Sequence, residues 1–269
     1  MAHVNIRQSQ VVSTYGPGAL VDLPDDGVLV AGLEHWLGDK PPVHELRLLS
    51  SLRKRLELPH LELRAPPILD RPDQDEGKVG MAAWVFPEWF VAQYEHPQRK
   101  HGRSRPLCHR TALRHGKLVI EGPNGKSARW SVVPVRFVQG CPNGHISDID
   151  WRKVVHDDGT ACGGDLWLDE RGTTGDVTEL YVRCALCENE LPLVRLQGGA
   201  KQSSLLGFCQ GDRLWLGPVA RETCGGDGGK PQGNRLLIRH ASNAYFPVVE
   251  RAISIPDAQA ELRRAVDAV

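Results

Sequence analysis

The stretch Val133-Pro-Val-Arg-Phe-Val-Gln-Gly-Cys-Pro-Asn-Gly-His145 decides the fold, because a β-type run leads directly into a turn that carries two metal-binding side chains. Val and Phe between residues 133 and 138 favour a strand. The Pro-Asn-Gly segment that follows favours a tight turn. Cys141 and His145 flank this turn, so a ligand stands where a strand ends, as in the knuckles of zinc ribbons.

Three further cysteines in the next 42 positions have the same kind of setting. Cys162 precedes two glycines, and Cys184-Ala-Leu-Cys187 is a Cys-x-x-Cys pair, in which both sulfurs can face one ion. Structural zinc sites take four such ligands in a tetrahedron. We therefore predict a closed Zn²⁺ site that uses Cys141, Cys162, Cys184 and Cys187. The alternative is that these cysteines pack as small hydrophobic side chains.

Other cysteine and histidine positions leave alternatives open. His145 is a substitute ligand, or a hydrogen-bond donor that supports the ligands. Cys209 and Cys224 can pack in the core, pair with each other or join a second site. Cys108 next to His109 is weak support for a nucleophile. A closed four-ligand site has no open position for water, which argues against hydrolysis.

Bulk composition limits where the chain works and what it contacts. The 269 residues have a formal net charge of zero, so the whole molecule has no basic field for nucleic acid. No apolar run is long enough for a membrane span, and the polar start does not match a secretory signal. We expect a cytoplasmic protein with no membrane contact, in which seven cysteines serve metal binding better than disulfides.

Periodicity predicts an α+β fold, mixed, with a β-rich, zinc-ribbon-like module in the second half. Leucines at three- and four-residue steps predict a helix over 44–57, and strand-like runs begin at Lys117 and continue through 235–239. Gly122-Pro-Asn-Gly125 predicts a hairpin turn. We assign residues 1–115 to an N-terminal α+β region and 116–269 to the zinc-binding module, which ends in a helix that opens at Asp257.

A basic stretch without acidic residues runs from 96 to 117 in the N-terminal region, and we predict it to lie on the surface. Phosphate contacts need positive charge and give no sequence specificity. The competing interpretation is a solvated loop. The candidate nucleic-acid-binding residues are Arg99, Lys100, Arg103, Arg105, Arg110 and Arg114.

The sequence contains neither a complete phosphate-binding loop nor the motif pair of a zinc deaminase. Gly125-Lys126-Ser127 resembles the end of a phosphate-binding loop, but position 120 is Ile120 where that motif needs glycine, and a strand follows instead of a helix. The His-x-Glu and Pro-Cys-x-x-Cys pair of a zinc deaminase is absent from the sequence. We predict that the chain is not an enzyme.

Several motifs together resemble the DrmB family of the DISARM anti-phage defence system. They are Arg7–Gln10 with Tyr15–Ala19 and Asp22, Phe86–Phe90, Val133–Val138 with Cys141–His145, Asp148 and Trp151, and Arg235–Arg239 with Ala241–Pro247. The resemblance implies a zinc cluster, a helicase-like partner called DrmA and engagement of DNA, directly or through that partner. It also implies that this chain corresponds to an N-terminal half or a short form of the family.

Two functions follow as hypotheses. The first is a non-catalytic zinc-binding subunit that associates with a helicase-like partner and engages DNA in anti-phage defence. The second is a protein–protein scaffold with a structural zinc site and no direct DNA contact. A weaker third is a metallohydrolase that uses His145 and an open zinc position.

Overall fold

The computed structural model describes residues 7–24, 26–67, 79–95, 102–121, 126–157, 162–197, 203–226, 229–241 and 244–253. The chain forms two compact units. The first unit combines Met1–Trp36 with Met81–Phe246, and the second combines Leu37–Gly80 with Pro247–Val269. All strands in the described parts of the chain belong to the first unit.

The described helices are α1 (Gln8–Ser13), α2 (Leu46–Leu56), α3 (Trp151–Val155) and α4 (Ser203–Leu206). The described strands are β1 (Leu20–Asp22), β2 (Gly27–Val30), β3 (Ala83–Val85), β4 (Trp89–Ala92), β5 (Arg103–His109), β6 (Leu113–Arg114), β7 (Lys117–Glu121), β8 (Ser127–Pro134), β9 (Phe137–Gly140), β10 (Ile146–Ser147), β11 (Leu166–Glu170), β12 (Leu180–Cys184), β13 (Glu190–Pro192) and β14 (Arg235–Ile238). The mixed α+β fold expected from the sequence is confirmed, and its sheets are antiparallel.

An eight-stranded antiparallel sheet forms the centre of the first unit, with the order β13-β12-β11-β5-β4-β8-β7-β6. Successive residues of a strand point to opposite faces of this sheet. Leu166 and its partners Cys184 and Leu107 share one face, and Trp167 and its partners Arg183 and Pro106 share the other. One face is covered by the buried side of α3, including Trp151, which is 1% exposed. This face forms the main hydrophobic core.

Two three-stranded antiparallel sheets complete the first unit, with the orders β1-β2-β3 and β10-β9-β14. In the second of these, Gly140 pairs with both Ile146 and Arg235. The tight β9–β10 connection is closed by a hydrogen bond from the Cys141 N–H to the His145 carbonyl, at 3.0 Å. The predicted strand-to-turn transition after residue 138 is therefore present, and it positions the first pair of ligands.

The second unit contains α2, which confirms the helix predicted over 44–57. The Glu45 carboxylate accepts the N–H of Arg47 at the start of the helix, and three basic residues occupy its last turn. The Arg53 side chain donates to the Leu61 carbonyl, which ties the helix to the following segment. No described helix is both apolar and long enough to cross a membrane.

The basic stretch requires a correction. Its described part includes β5, a central strand of the large sheet, in which Ser104, Leu107 and Cys108 are buried. The strand was missed because Arg103, Ser104 and Arg105 are all polar and Pro106 argues against a central strand. The division at residue 115 also passes through this sheet, since β4, β5 and β6 precede that residue and the other five strands follow it.

The remaining sequence predictions concern the strands after Lys117, the phosphate-binding loop, the hairpin turn and the C-terminal helix. The predicted strands from Lys117 to 239 are confirmed, and Ser127 begins a strand and not a helix, which agrees with the rejection of a phosphate-binding loop. The hairpin turn at 122–125 and the helix expected from Asp257 lie outside the described residues.

Candidate metal centres

Two groups of four side chains in the first unit bring their ligand atoms within 4.8 Å of one another. The Cys141 set consists of Cys141, His145, Cys209 and Cys224. The Cys184 set consists of His156, Cys162, Cys184 and Cys187. Each set offers three sulfurs and one imidazole nitrogen, which is a donor combination of structural zinc sites.

The Cys141 set joins the β9–β10 turn to two distant loops. Cys209 is held beside this turn because its N–H donates to the Gln232 carbonyl at 2.8 Å, and its own sulfur accepts the Gly211 N–H at 3.2 Å. Asn143 Nδ2 donates to Cys224 Sγ at 3.5 Å and to the Gly225 carbonyl at 2.6 Å. Asn143, which the sequence predicts as a turn residue, therefore also helps to hold Cys224 in place.

Distances within the Cys141 set fit a single tetrahedral ion. Cys141 Sγ lies 3.3 Å from His145 Nδ1 and 3.9 Å from Cys224 Sγ. A zinc–sulfur bond of about 2.3 Å in a tetrahedron places two ligand sulfurs about 3.8 Å apart. His145, Cys209 and Cys224 are each less than 10% exposed, so the site is enclosed. The sulfurs and the nitrogen already stand near the corners that an ion requires.

His145 is oriented by a carboxylate on the side away from the sulfurs. Its Nε2 lies 2.7 Å from Glu222 Oε1, and the other oxygen of Glu222 accepts from Arg213 at 2.9 Å. The hydrogen bond from His145, followed by the positive charge of Arg213, lowers the pKa of Glu222. An ionised carboxylate can only accept, so Nε2 carries the proton and Nδ1 presents its lone pair to the ligand set.

Cys224 is prepared for the thiolate form that metals bind. Burial raises the pKa of its thiol, but the hydrogen bond from the Gln232 N–H and the contacts with His145, Cys209 and Cys141 outweigh burial and lower the pKa to about 7. A thiol with a pKa near neutrality loses its proton to a metal at little cost.

The Cys184 set is built around the end of β12. Cys184 Sγ lies 3.5 Å from Cys162 Sγ, and the Cys184 N–H donates to the Asn189 carbonyl at 2.9 Å, which closes the Cys-x-x-Cys turn. Burial raises the pKa of Cys184, but the N–H groups of Cys187 and Leu186, with His156 and Cys162, lower it to about 6. These are the backbone contacts of a preformed thiolate site.

His156 follows α3 and is fixed by the helix itself. Its Nδ1 lies 2.7 Å from the Arg152 carbonyl oxygen, one helical turn earlier. A carbonyl oxygen can only accept, so Nδ1 carries the proton and Nε2 is the nitrogen offered to the sulfurs. The two sets therefore use opposite imidazole nitrogens, and each is oriented by a hydrogen bond from the other nitrogen.

The structure divides the ligand set predicted from the sequence. Cys162, Cys184 and Cys187 lie together, but Cys141 lies with His145, Cys209 and Cys224. Of the roles considered for Cys209 and Cys224, membership of a second site matches their placement. Sequence spacing could not assign Cys141, because the partner loop at 209–224 approaches it only through long-range contacts.

His156 is the ligand candidate that sequence reasoning missed. It lies six residues before Cys162 and follows the five-residue helix α3, outside any turn motif. The available signal was a histidine six residues before Cys162-Gly-Gly, and that spacing alone is weak evidence for a ligand.

The proposed phosphate-contacting residues are dispersed. Arg99 and Lys100 lie outside the described residues. Arg105 pairs with Glu170, Arg103 lies 2.8 Å from Glu95, and Arg110 lies 3.9 Å from Glu88. Arg114 is exposed at the end of the edge strand β6. Carboxylates therefore accompany three of the four described arginines.

Cys108 does not have the properties of a nucleophile. Burial, with a contribution from the charge of Asp165, raises the pKa of its thiol to about 12. At neutral pH almost no thiolate is present, so its position beside His109 gives no reactivity. The tryptophans Trp89 and Trp151 are buried in the main core, as core packing predicts.

Comparison with known proteins gives one family and one curated relative. A family model described as "Domain of unknown function (DUF8724)" matches residues 7–246. The "DISARM protein DrmB" of Bacillus paralicheniformis is 32% identical over 145 residues, which are 52% of this chain and 23% of that protein. The matched stretch is thus less than a quarter of the relative's length.

Proposed function

This chain belongs to the DUF8724 family, and we propose that it is a non-catalytic subunit of an anti-phage defence system, held in shape by two Zn²⁺ ions. In this proposal it acts in the cytoplasm with a helicase-like, DrmA-like partner, and the assembly engages DNA. The observation that carries the proposal is the pair of preformed Cys₃His sets in the first unit.

The donor chemistry favours zinc and a structural role. Three thiolates with one neutral imidazole match the preference of zinc in closed tetrahedral sites. Four protein donors in each set leave no position for water, so neither site supports hydrolysis. The carboxylate of Glu222 contacts Nε2 of His145 and so supports this histidine as a ligand. Each ion would cross-link loops that are far apart in sequence, and its binding would stabilise the folded chain.

The defence context rests on the similarity to DrmB. One of the motifs that carry the resemblance, Cys141–His145, supplies two of the four side chains of the Cys141 set. A chain that shares these elements is expected to share the association with a helicase-like subunit, which would supply the motor activity that this chain does not contribute.

A protein–protein scaffold without DNA contact remains the second candidate. It is favoured by the carboxylates that accompany Arg103, Arg105 and Arg110, since neutralised guanidinium groups contribute little to phosphate binding. In that case the helicase-like partner alone would contact DNA.

Three measurements on the purified full chain test the proposal. Elemental analysis is expected to find two zinc ions per chain. Co-expression with a DrmA-like helicase subunit is expected to yield a stable complex, and loss of either zinc ion should weaken that complex. Affinity for DNA that falls steeply with salt supports the first candidate, and its absence at low salt supports the scaffold. Absence of both zinc and complex formation would refute the proposal.

A further inference from the structure

The second face of the eight-stranded sheet carries a cleft. One face is the main core, while the opposite face carries Phe90, Ala92, Cys108 and Val132. A cleft of about 590 Å³ adjoins this cluster and shares Cys108 and Leu118 with it, and its lining also includes Pro106, Ile120 and Trp167. Clefts of this size hold small organic groups, and apolar floors favour flat rings. Neither metal set lies among its lining residues.

A row of aromatic rings continues from this cleft across the same face. Trp130 and Leu118 are direct partners in the β7–β8 pair, so both side chains share the face. The Tyr94 ring lies 4.9 Å from the Trp130 ring and 6.4 Å from the Trp167 ring. All three residues are half-buried. Trp167 belongs both to the row and to the cleft.

Charged groups of both signs line the cleft. Asp165 and Glu121 lie among its lining residues, and their carboxylates can only accept hydrogen bonds. Arg152 also lines it and donates to the Gly164 carbonyl at 2.8 Å, a contact that does not neutralise its charge. Arg110 and Arg114 are exposed on either side of the lining residues Thr111 and Ala112.

We propose that this cleft and the ring row form a binding surface for a strand of nucleic acid with unpaired bases. One base would enter the cleft against Trp167, the next would stack on Tyr94 and Trp130, and Arg114 and Arg152 would contact phosphates. Aromatic stacking accepts every base. The carboxylates in the cleft accept hydrogen bonds from the exocyclic amino groups of cytosine, adenine and guanine, which thymine lacks.

This inference rests on the proposed engagement of DNA. It adds the surface of this chain that binds the strand, the unpaired state of the bound bases and a preference for bases with an amino group. An apolar peptide is the competing occupant of such a face. The carboxylates of Asp165 and Glu121 in the cleft lining, together with the guanidinium groups of Arg152 and Arg114, favour a ligand with amino-bearing rings and an anionic backbone over an apolar chain.

The test uses the full chain loaded with zinc and fluorescein-labelled dC12, dA12 and dT12. Anisotropy titrations at low salt are expected to show saturable binding, with dC12 and dA12 bound about five-fold or more tightly than dT12. Trp167→Leu should weaken binding of all three about ten-fold. Trp215→Leu is the matched control, because Trp215 is a half-buried tryptophan in a different cluster, and it should leave affinity unchanged.

A second variant tests the base preference of the cleft. Asp165→Asn adds a donor beside the acceptor, so thymine gains a partner and the advantage of dC12 over dT12 should shrink. Glu34→Gln, which changes an exposed carboxylate outside the cleft, should preserve that advantage. Zinc content measured on every variant separates loss of the surface from loss of the fold.

Two outcomes overturn the inference. The first is wild-type protein that carries both zinc ions and binds the helicase-like subunit but shows no saturable binding of any oligonucleotide; this leaves the scaffold form of the proposed function standing. The second is a Trp167→Leu variant that binds oligonucleotides normally but loses the protein partner, since the face would then be a protein-docking surface. Failure of partner binding in wild type, with oligonucleotide binding retained, would instead contradict the proposed function alone.

Discussion

Glu222 Oε1 lies 2.7 Å from Nε2 of His145, and this contact turns the opposite nitrogen, Nδ1, toward Cys141 Sγ at 3.3 Å. A carboxylate behind a metal-binding histidine selects the tautomer and raises the basicity of the ligand nitrogen. The arrangement therefore gives Glu222 a measurable role in metal affinity, although it is not itself a ligand candidate.

Replacement of Glu222 should weaken metal binding at the Cys141 set alone. Glu222→Ala is expected to lower zinc affinity there about 10- to 100-fold, and Glu222→Gln should have a smaller effect because an amide oxygen still accepts from Nε2. Competition with a chromophoric chelator measures the affinity. Asp212→Asn is the control, since that carboxylate pairs with Arg221 and not with a ligand histidine. Equal zinc affinity in the Ala variant and wild type would contradict this role.

Zinc stoichiometry separates the two sets from a single four-cysteine site. Wild type should bind two zinc ions, and Cys184→Ser and Cys209→Ser should each bind one, because each removes a ligand from a different set. Cys108→Ser should keep both ions, since Cys108 lies outside the sets. Elemental analysis gives the counts. One zinc ion in wild type that Cys209→Ser keeps and Cys184→Ser loses would instead support the single set of Cys141, Cys162, Cys184 and Cys187 first suggested by spacing.

Asp148 should make stability fall as pH rises toward neutrality. Its Oδ2 accepts the Glu88 N–H at 3.0 Å, while Oδ1 is buried without a hydrogen-bond partner among the described residues. Burial raises the pKa of Asp148 to about 7; the Glu88 N–H lowers it, and the Glu88 charge raises it. The folded state then holds a proton that the unfolded state releases near pH 4. The stabilising contribution is complete below that pH and is lost as pH passes through about 7.

Asp148→Asn isolates this effect. The variant should gain stability over wild type as pH rises from 5.5 to 8, by about 2 kcal/mol. Urea unfolding of both proteins with saturating zinc at each pH gives the difference, in which metal-linked effects common to both cancel. The exposed Asp39→Asn change should give no pH-dependent difference. A constant difference between the Asp148 variant and wild type across this range would show that the carboxyl has an ordinary pKa.

The Arg183–Asp169 ion pair is expected to be costly to break. Arg183 Nε donates to Asp169 Oδ2 at 2.8 Å, and the Asp169 side chain is only 1% exposed. Arg183→Met leaves a buried carboxylate without its cation and should cost about 3–5 kcal/mol of unfolding free energy. The double variant with Asp169→Leu should recover most of this loss. Chemical denaturation measures both, and a loss below about 1 kcal/mol in the single variant would indicate that water replaces the arginine.

Local chemistry made part of the architecture predictable. The leucine spacing in 46–56 identifies α2, and the β-type run before Cys141 identifies β9, because both signals depend on residues close in sequence. The turn at 142–144 was predictable for the same reason. In contrast, the sequence did not predict β5, because this strand is stabilised by pairing with β4 and β11, which are distant in sequence.

The sequence by itself determined which side chains are suited to bind metal and that most of them stand at turns, since residue type and turn propensity are local properties. Only the tertiary structure decided the partition into two sets, because His156 and the loop with Cys209 and Cys224 reach their partners through folding. The Cys184 set lies wholly within the segment between His145 and Cys209. Spacing along the chain favours neighbours in sequence, whereas a tetrahedral ion selects neighbours in space.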